Sequence, residues 1–124
     1  MLCLVIDDDM DDQEIFELAI RETGKNCSCL FAGSGEEGLQ LLEQEPLPDY
    51  IFLDLNMPRV NGLQCLEAIR RKDNLQRVPV IIYSTSSQQV YINKAMLLGA
   101  TAFITKPSSI AGLSGLLNHF FDRL

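Results

Sequence analysis

The chain has 124 residues, of which seventeen are acidic and ten basic, for a net charge of −7. That length suits one compact domain with its own core and leaves no room for a second. The negative balance disfavours direct binding of DNA or RNA, and no apolar run nears the ~18 residues of a membrane-spanning helix.

Met1 to Ile6 is too short, and lacks the basic flank, for a secretory signal; residues 2–6 read as a first strand. That strand ends in Asp7-Asp8-Asp9, with Asp11 and Asp12 close behind. Helical spacing follows over 11–23 and stops at Gly24. A second strand over 27–31 leads to a helix over 35–44, which Pro46 and Pro48 terminate. The third strand, 50–53, ends at Asp54 within Phe52-Leu53-Asp54-Leu55-Asn56-Met57-Pro58, and a helix over 62–72 follows. After Pro79, a strand over 80–83 runs into Ser84-Thr85-Ser86, then a helix over 88–98 stopped by Gly99. The fifth strand, 102–104, leads to Lys106-Pro107 and a last helix over 109–123. In that helix Ile110, Leu113, Leu116, Leu117, Phe120, Phe121 and Leu124 share an arc of about 140°, with Ser114, Asn118, His119 and Asp122 opposite. His119 therefore reads as an exposed surface residue.

Four cysteines invite a disulfide or zinc reading. Cys27 and Cys29 alternate onto one strand face, Cys3 lies in the first strand and Cys65 in a helix. The single histidine is remote, so the residues read as reduced, buried thiols of a cytoplasmic protein.

Short apolar runs with little alternation suit parallel strands covered on both faces. Regular strand–helix alternation then gives an α/β fold with right-handed crossovers and helices on both sides. In such sheets functional groups gather at the carboxyl ends of strands. In the flavodoxin-like order 2-1-3-4-5, the ends of strands 1, 3, 4 and 5 would bring Asp7, Asp8, Asp54, Ser84 and Lys106 into one pocket. Converging carboxylates need a counter-charge, and Mg²⁺ is the hard cation that such oxygen ligands favour. A carboxylate beside Mg²⁺ and a lysine can take a phosphoryl group as an aspartyl phosphate.

These pieces in this order (Asp7-Asp8, Asp54 to Pro58 with Asn61-Gly62, Ser84, Lys106-Pro107) resemble the CheY-like receiver domain of two-component response regulators. The likeness covers essentially the whole chain, 1–124, as a doubly wound (βα)5 domain. It implies that Asp54 is the phosphoacceptor. Asp8 and Asp54 would ligate Mg²⁺ directly, Asp7 through a bound water, and Asn56 through its backbone carbonyl. Ser84 and Lys106 would pair with the phosphoryl oxygens, and Phe103 would be the switch aromatic, the alternative for it being a plain core residue. A cis Lys106–Pro107 bond is expected by the same likeness. The phosphoryl donor would be a sensor histidine kinase or a histidine phosphotransfer protein. Output would pass to a downstream protein, or to a second copy of this chain, through the face of the fourth helix, fifth strand and fifth helix. That helix's apolar residues Val90, Tyr91, Ile92, Met96, Leu97 and Leu98 point several ways, as partly exposed residues would.

Phe103 replaces a frequent tyrosine, and Thr85 stands where a smaller residue is common, so Thr85 is expected to slow transfer from small donors. The Val78 to Ser86 region and the C-terminus resemble stand-alone regulators paired with phytochrome-type kinases. The chain ends with its last helix, which points to no appended output domain. Asp9, Asp11 and Asp12 read as capping and helix-dipole residues, and Ser86 or Ser87 as the cap of the fourth helix. Two rival readings remain. One is a docking module that works without phosphorylation. The other is an aspartate-nucleophile phosphohydrolase, which Asn56 disfavours by standing where such an enzyme carries its second carboxylate.

Overall fold

The computed structural model describes residues 1–57, 61–85 and 88–123. Five parallel strands, β1 (Leu2–Ile6), β2 (Ser28–Ala32), β3 (Tyr50–Leu53), β4 (Val80–Ser84) and β5 (Ala102–Thr105), lie in the order β2-β1-β3-β4-β5. They alternate with helices α1 (Met10–Glu22), α2 (Gly35–Leu41), α3 (Gly62–Arg70), α4 (Gln89–Leu97) and α5 (Ile110–Arg123). This is the expected flavodoxin-like arrangement. The first four helices end one to three residues short of the sequence expectation, where the chain leaves the helix through capping turns at Thr23, Leu42, Arg71 and Leu98. Among the described residues, no helix is long and apolar enough to cross a membrane.

Residues of the central strands alternate between two cores, which is why β1 and β3 are apolar throughout and β4 as far as Ser84, while the edge strands β2 and β5 are partly exposed. Leu4, Ile6, Ile51, Leu53, Val80 and Ile82 pack with Leu42, Cys65, Leu66 and Ala95 on the α2–α3–α4 side. Cys3, Val5, Tyr50, Phe52, Ile81 and Tyr83 pack with Phe16, Ile20, Leu113 and Leu117 on the α1–α5 side. The aromatic rings of Phe16 and Phe52 meet edge-on at 4.9 Å. Ser114, expected on the polar face of α5, is buried, because α5 packs closely on α1. His119 is exposed, as expected.

The period of two also sorts the strand ends. Asp7 continues the series Cys3, Val5; Asp54 continues Tyr50, Phe52; Lys106 continues Ala102, Ile104; and Tyr83 follows Ile81. All four therefore belong to the α1–α5 side. Ser84 and Phe103 continue the opposite series, and Phe103 packs on the α2–α3–α4 core.

The β3–α3 connection is held tight against the strand end. Asn61 and Gln64 form a capping box at the start of α3, and the Gly62 amide donates to the Leu55 carbonyl at 3.1 Å. A Cβ on Gly62 would collide with the backbone of Asp54 and Leu55. Gly62→Ala should therefore cost about 2–3 kcal/mol in urea unfolding, since backbone cannot yield as a side chain does. A loss under 0.5 kcal/mol (roughly the scatter of surface substitutions) would contradict this packing.

Candidate functional site

The carboxyl edge of the sheet gathers four carboxylates, three of them on one ammonium. Lys106 Nζ lies 2.7 Å from Asp12 Oδ2, 3.0 Å from Asp7 Oδ2 and 3.3 Å from Asp54 Oδ2. Its side chain is 12% exposed and crosses the Tyr83 ring, with Nζ 4.7 Å from the ring centre. Asp7 is wholly buried: Oδ1 accepts from the Asp9 amide at 2.9 Å, and Oδ2 accepts from the Tyr83 hydroxyl at 2.7 Å. Asp54 is also buried and accepts from the Asn56 amide at 3.2 Å. Asn56 Nδ2 donates to Ser84 Oγ at 3.4 Å, which links the β3 and β4 ends.

Oxygens of Asp7, Asp8 and Asp54 lie within 4.8 Å of one another, with Asp8 exposed to solvent. With Asp12, four carboxylates face a single lysine, which leaves three nominal negative charges uncompensated. An all-oxygen donor set, partly open to water and in excess of negative charge, fits a hard divalent cation.

The electrostatics follow from this crowding. Burial pushes the Asp54 carboxyl above its ordinary range and Asp7 adds to the rise, while Lys106 and the Asn56 amide oppose it. Burial alone would lower Lys106. Its hydrogen bonds to Asp12 and Asp7, with the charges of Asp54 and Asp7, outweigh that and hold the ammonium above its usual value. The Tyr83 hydroxyl is pushed up by burial, then by the charge of Asp7 and its hydrogen bond, so it stays a donor.

Every candidate residue from the sequence lies at this edge or directly beneath it, and two participants were not anticipated. Asp9 is the α1 cap, accepting from the Asp11 and Asp12 amides at 2.8 and 3.3 Å. Asp12 itself is not a mere capping residue, because its carboxylate is the nearest partner of Lys106. The available signal was its place in the first turn of the helix that starts at the carboxyl end of β1. Tyr83 read as core and does double service. Thr85 is exposed beyond the β4 end. The Lys106–Pro107 bond is not cis; among the described residues only Glu45–Pro46 is. The long lysine side chain reaches all three carboxylates from the commoner trans backbone. The α4 cap position falls to Gln88, without a side-chain hydrogen bond, and Ser86, Ser87 and Pro58 lie outside the described residues.

An open parallel sheet in this order, with an acidic cluster and a lysine at its carboxyl edge, has the form of a signalling receiver. The family model described as the response regulator receiver domain matches residues 3–118, and the chain belongs to that family, part of two-component signalling. It is 26% identical over 121 residues to a probable chemotaxis protein CheY of Rhizobium etli, covering 98% of this chain and 92% of that one. Among solved structures, the phosphorylated cyanobacterial phytochrome response regulator RcpA superposes with a TM-score of 0.88 at 24% identity, covering 98% of this chain and 91% of RcpA. The Mn²⁺-bound form of response regulator Rcp1 gives 0.85 at 21% identity, covering 98% and 92%.

The rise at Asp54 has a pH signature. Its folded-state pKa lies above the ordinary 3.8, so the ionised form is disfavoured by folding. Stability linked to this group is complete below the unfolded value and is lost as pH rises through the folded one. Without divalent cations, Asp54→Asn should thus raise the melting temperature by a few degrees at pH 7.5. The gain should shrink towards pH 4, and an equal gain at both pH values would rule out burial of charge as its cause.

Proposed function

We propose that the chain, as a single receiver unit over 1–124, is a phosphorylation switch with Asp54 as acceptor. The observation that carries this is the placement of the Asp54 carboxylate 3.3 Å from Lys106 Nζ and within ligand distance of Asp7 and Asp8. A phosphohistidine of a sensor histidine kinase or phosphotransfer protein is the donor. An Asp54 oxygen attacks phosphorus, the P–N bond breaks, and its electron pair returns to the donor imidazole.

Asp8, Asp54 and the Asn56 carbonyl would hold Mg²⁺. Asp7 would contribute at longer range, since both its oxygens already accept hydrogen bonds. When bound, the ion supplies positive charge to the transferring oxygens. Lys106 supplies the other positive charge, already aimed at Asp54, and exchanges a carboxylate for a phosphoryl oxygen. Ser84, linked to Asn56, donates to a second phosphoryl oxygen. That movement on the α3–α4 side frees space for Phe103 to turn inward, shifting the α4–β5–α5 face. Val90, Tyr91, Met96 and Leu97 are 51%, 40%, 46% and 87% exposed there and offer a downstream protein, or a second copy, an apolar contact. The chain is a phosphoacceptor acting once per donor, not a turnover enzyme, and works in the cytoplasm. The kinase is of the phytochrome type, by the resemblance of the Val78 to Ser86 region to stand-alone regulators paired with such kinases. The same exposed apolar face on α4 favours, as the second reading, a docking module independent of phosphorylation.

Acetyl phosphate with Mg²⁺ should add one phosphoryl group by intact mass. The adduct should vanish on chelation and in Asp54→Ala, while the absence of any adduct from a kinase donor as well would leave the docking reading. Thr85→Ala should raise the rate of transfer from acetyl phosphate severalfold by opening the approach to Asp54; an unchanged rate would remove Thr85 as a gate.

A further inference from the structure

Three of the four cysteines meet at the end of the sheet opposite the carboxylates. β1 and β2 pair with Cys3 beside Cys29, and Cys27, two residues earlier, turns to the same face. Cys3 Sγ lies 3.2 Å from Cys27 Sγ, and all four cysteines are free thiols. Cys3 is buried against Phe16, Ala19 and Ile20, whereas Cys27 and Cys29 are half-buried at the rim of that core. Cys65 belongs to the core on the other side of the sheet.

A disulfide requires sulfurs about 2.05 Å apart, so this pair must close by roughly 1.2 Å. Cys27 lies one residue before β2, outside the paired ladder, where such a shift disturbs least. A sequence reading of inert thiols does not account for two sulfurs this close with one of them open to solvent.

We propose that Cys3 and Cys27 form an oxidation site, which hydrogen peroxide converts to an intramolecular disulfide. The Cys27 thiolate attacks one peroxide oxygen, the O–O bond breaks, and water leaves after taking a proton, giving a sulfenic acid. Cys3 sulfur then attacks Cys27 sulfur. The S–O bond breaks, and the hydroxide leaves as water with the Cys3 proton. Two thiols and one peroxide become one disulfide and two waters, with two electrons passing from sulfur to peroxide. The bond closes the segment carrying Asp7, Asp8 and all of α1, and so ties the redox state of one sheet end to the acidic segment at the other. A cellular dithiol reverses it by exchange.

The test treats the reduced chain with hydrogen peroxide, blocks remaining thiols by alkylation, and maps linked peptides without reductant. Most molecules should carry a Cys3–Cys27 link that dithiothreitol removes, with a melting temperature several degrees higher. Cys29→Ser and Cys65→Ser should keep the link and the shift. Cys27→Ser should lose both while retaining a native circular dichroism spectrum. A link that persists in Cys27→Ser, a Cys3–Cys29 pairing, or oxidation only to sulfinic acid or intermolecular dimers would overturn the proposal.

Discussion

A buried ammonium shared among carboxylates is the interaction on which the working end of this molecule depends. Asp7 is fully buried, and its charge is tolerable there because Lys106 and the Tyr83 hydroxyl both point at it. Removing the lysine would leave Asp7 and Asp54 as unpaired charges in a poorly solvated site, a situation that costs several kcal/mol. The converse also holds. One lysine cannot neutralise four carboxylates, and the surplus fits the edge to a hard divalent cation. Burial, with the charge of Asp7 added, holds the Asp54 carboxyl above its ordinary range, and a cation bound beside it would favour the ionised form again.

The pleat then divides labour between the two faces of the sheet. Asp7, Asp54, Tyr83 and Lys106 follow the residue parity of the α1–α5 core, whereas Ser84 and Phe103 follow that of the α2–α3–α4 core. The charge cluster and the proposed switch pair thus lie on opposite sides of one strand layer, joined across its edge by the Asn56–Ser84 hydrogen bond. In the proposed switch, a group added at Asp54 would reach the far side by drawing Ser84.

The element on that far side is held unevenly. At its C-terminal end, α4 passes into Gly99, whose carbonyl accepts from Arg70 Nε at 2.8 Å. The same guanidinium donates to the carbonyls of Leu75 and Val78, both at 2.9 Å, and so clamps α3 to the foot of β4 and the turn before β5. At its other end, near Ser84, the capping position makes no side-chain hydrogen bond, and Ala95 is the only buried residue in the helix. A helix anchored at one end, with little buried area, is the sort of element that small local forces can shift.

The strands and the residues at their carboxyl ends were legible in the sequence because burial on both faces demands unbroken apolar runs and breakers mark each end, whereas the strand order came with the resemblance to a known fold. Asp7, Asp8, Asp54, Ser84 and Lys106 stood out for the same reason, as polar residues that abruptly end such runs. What the sequence withheld depends on contacts between distant segments. Asp12 counts as a first-turn helix residue until Lys106, ninety-four positions later, comes within hydrogen-bond reach of it. Tyr83 is an apolar strand residue until its hydroxyl finds Asp7, and Cys27, just outside the ladder, is an isolated thiol until its sulfur comes within 3.2 Å of that of Cys3. Ser114 fell on the polar arc of α5 by periodicity, yet α1 covers it. The sequence by itself determined which residues form the layers and where the chemistry collects, because burial and chain period are local. Only the tertiary structure decided which charges and thiols are partners, because those pairings depend on register and on packing across the sheet.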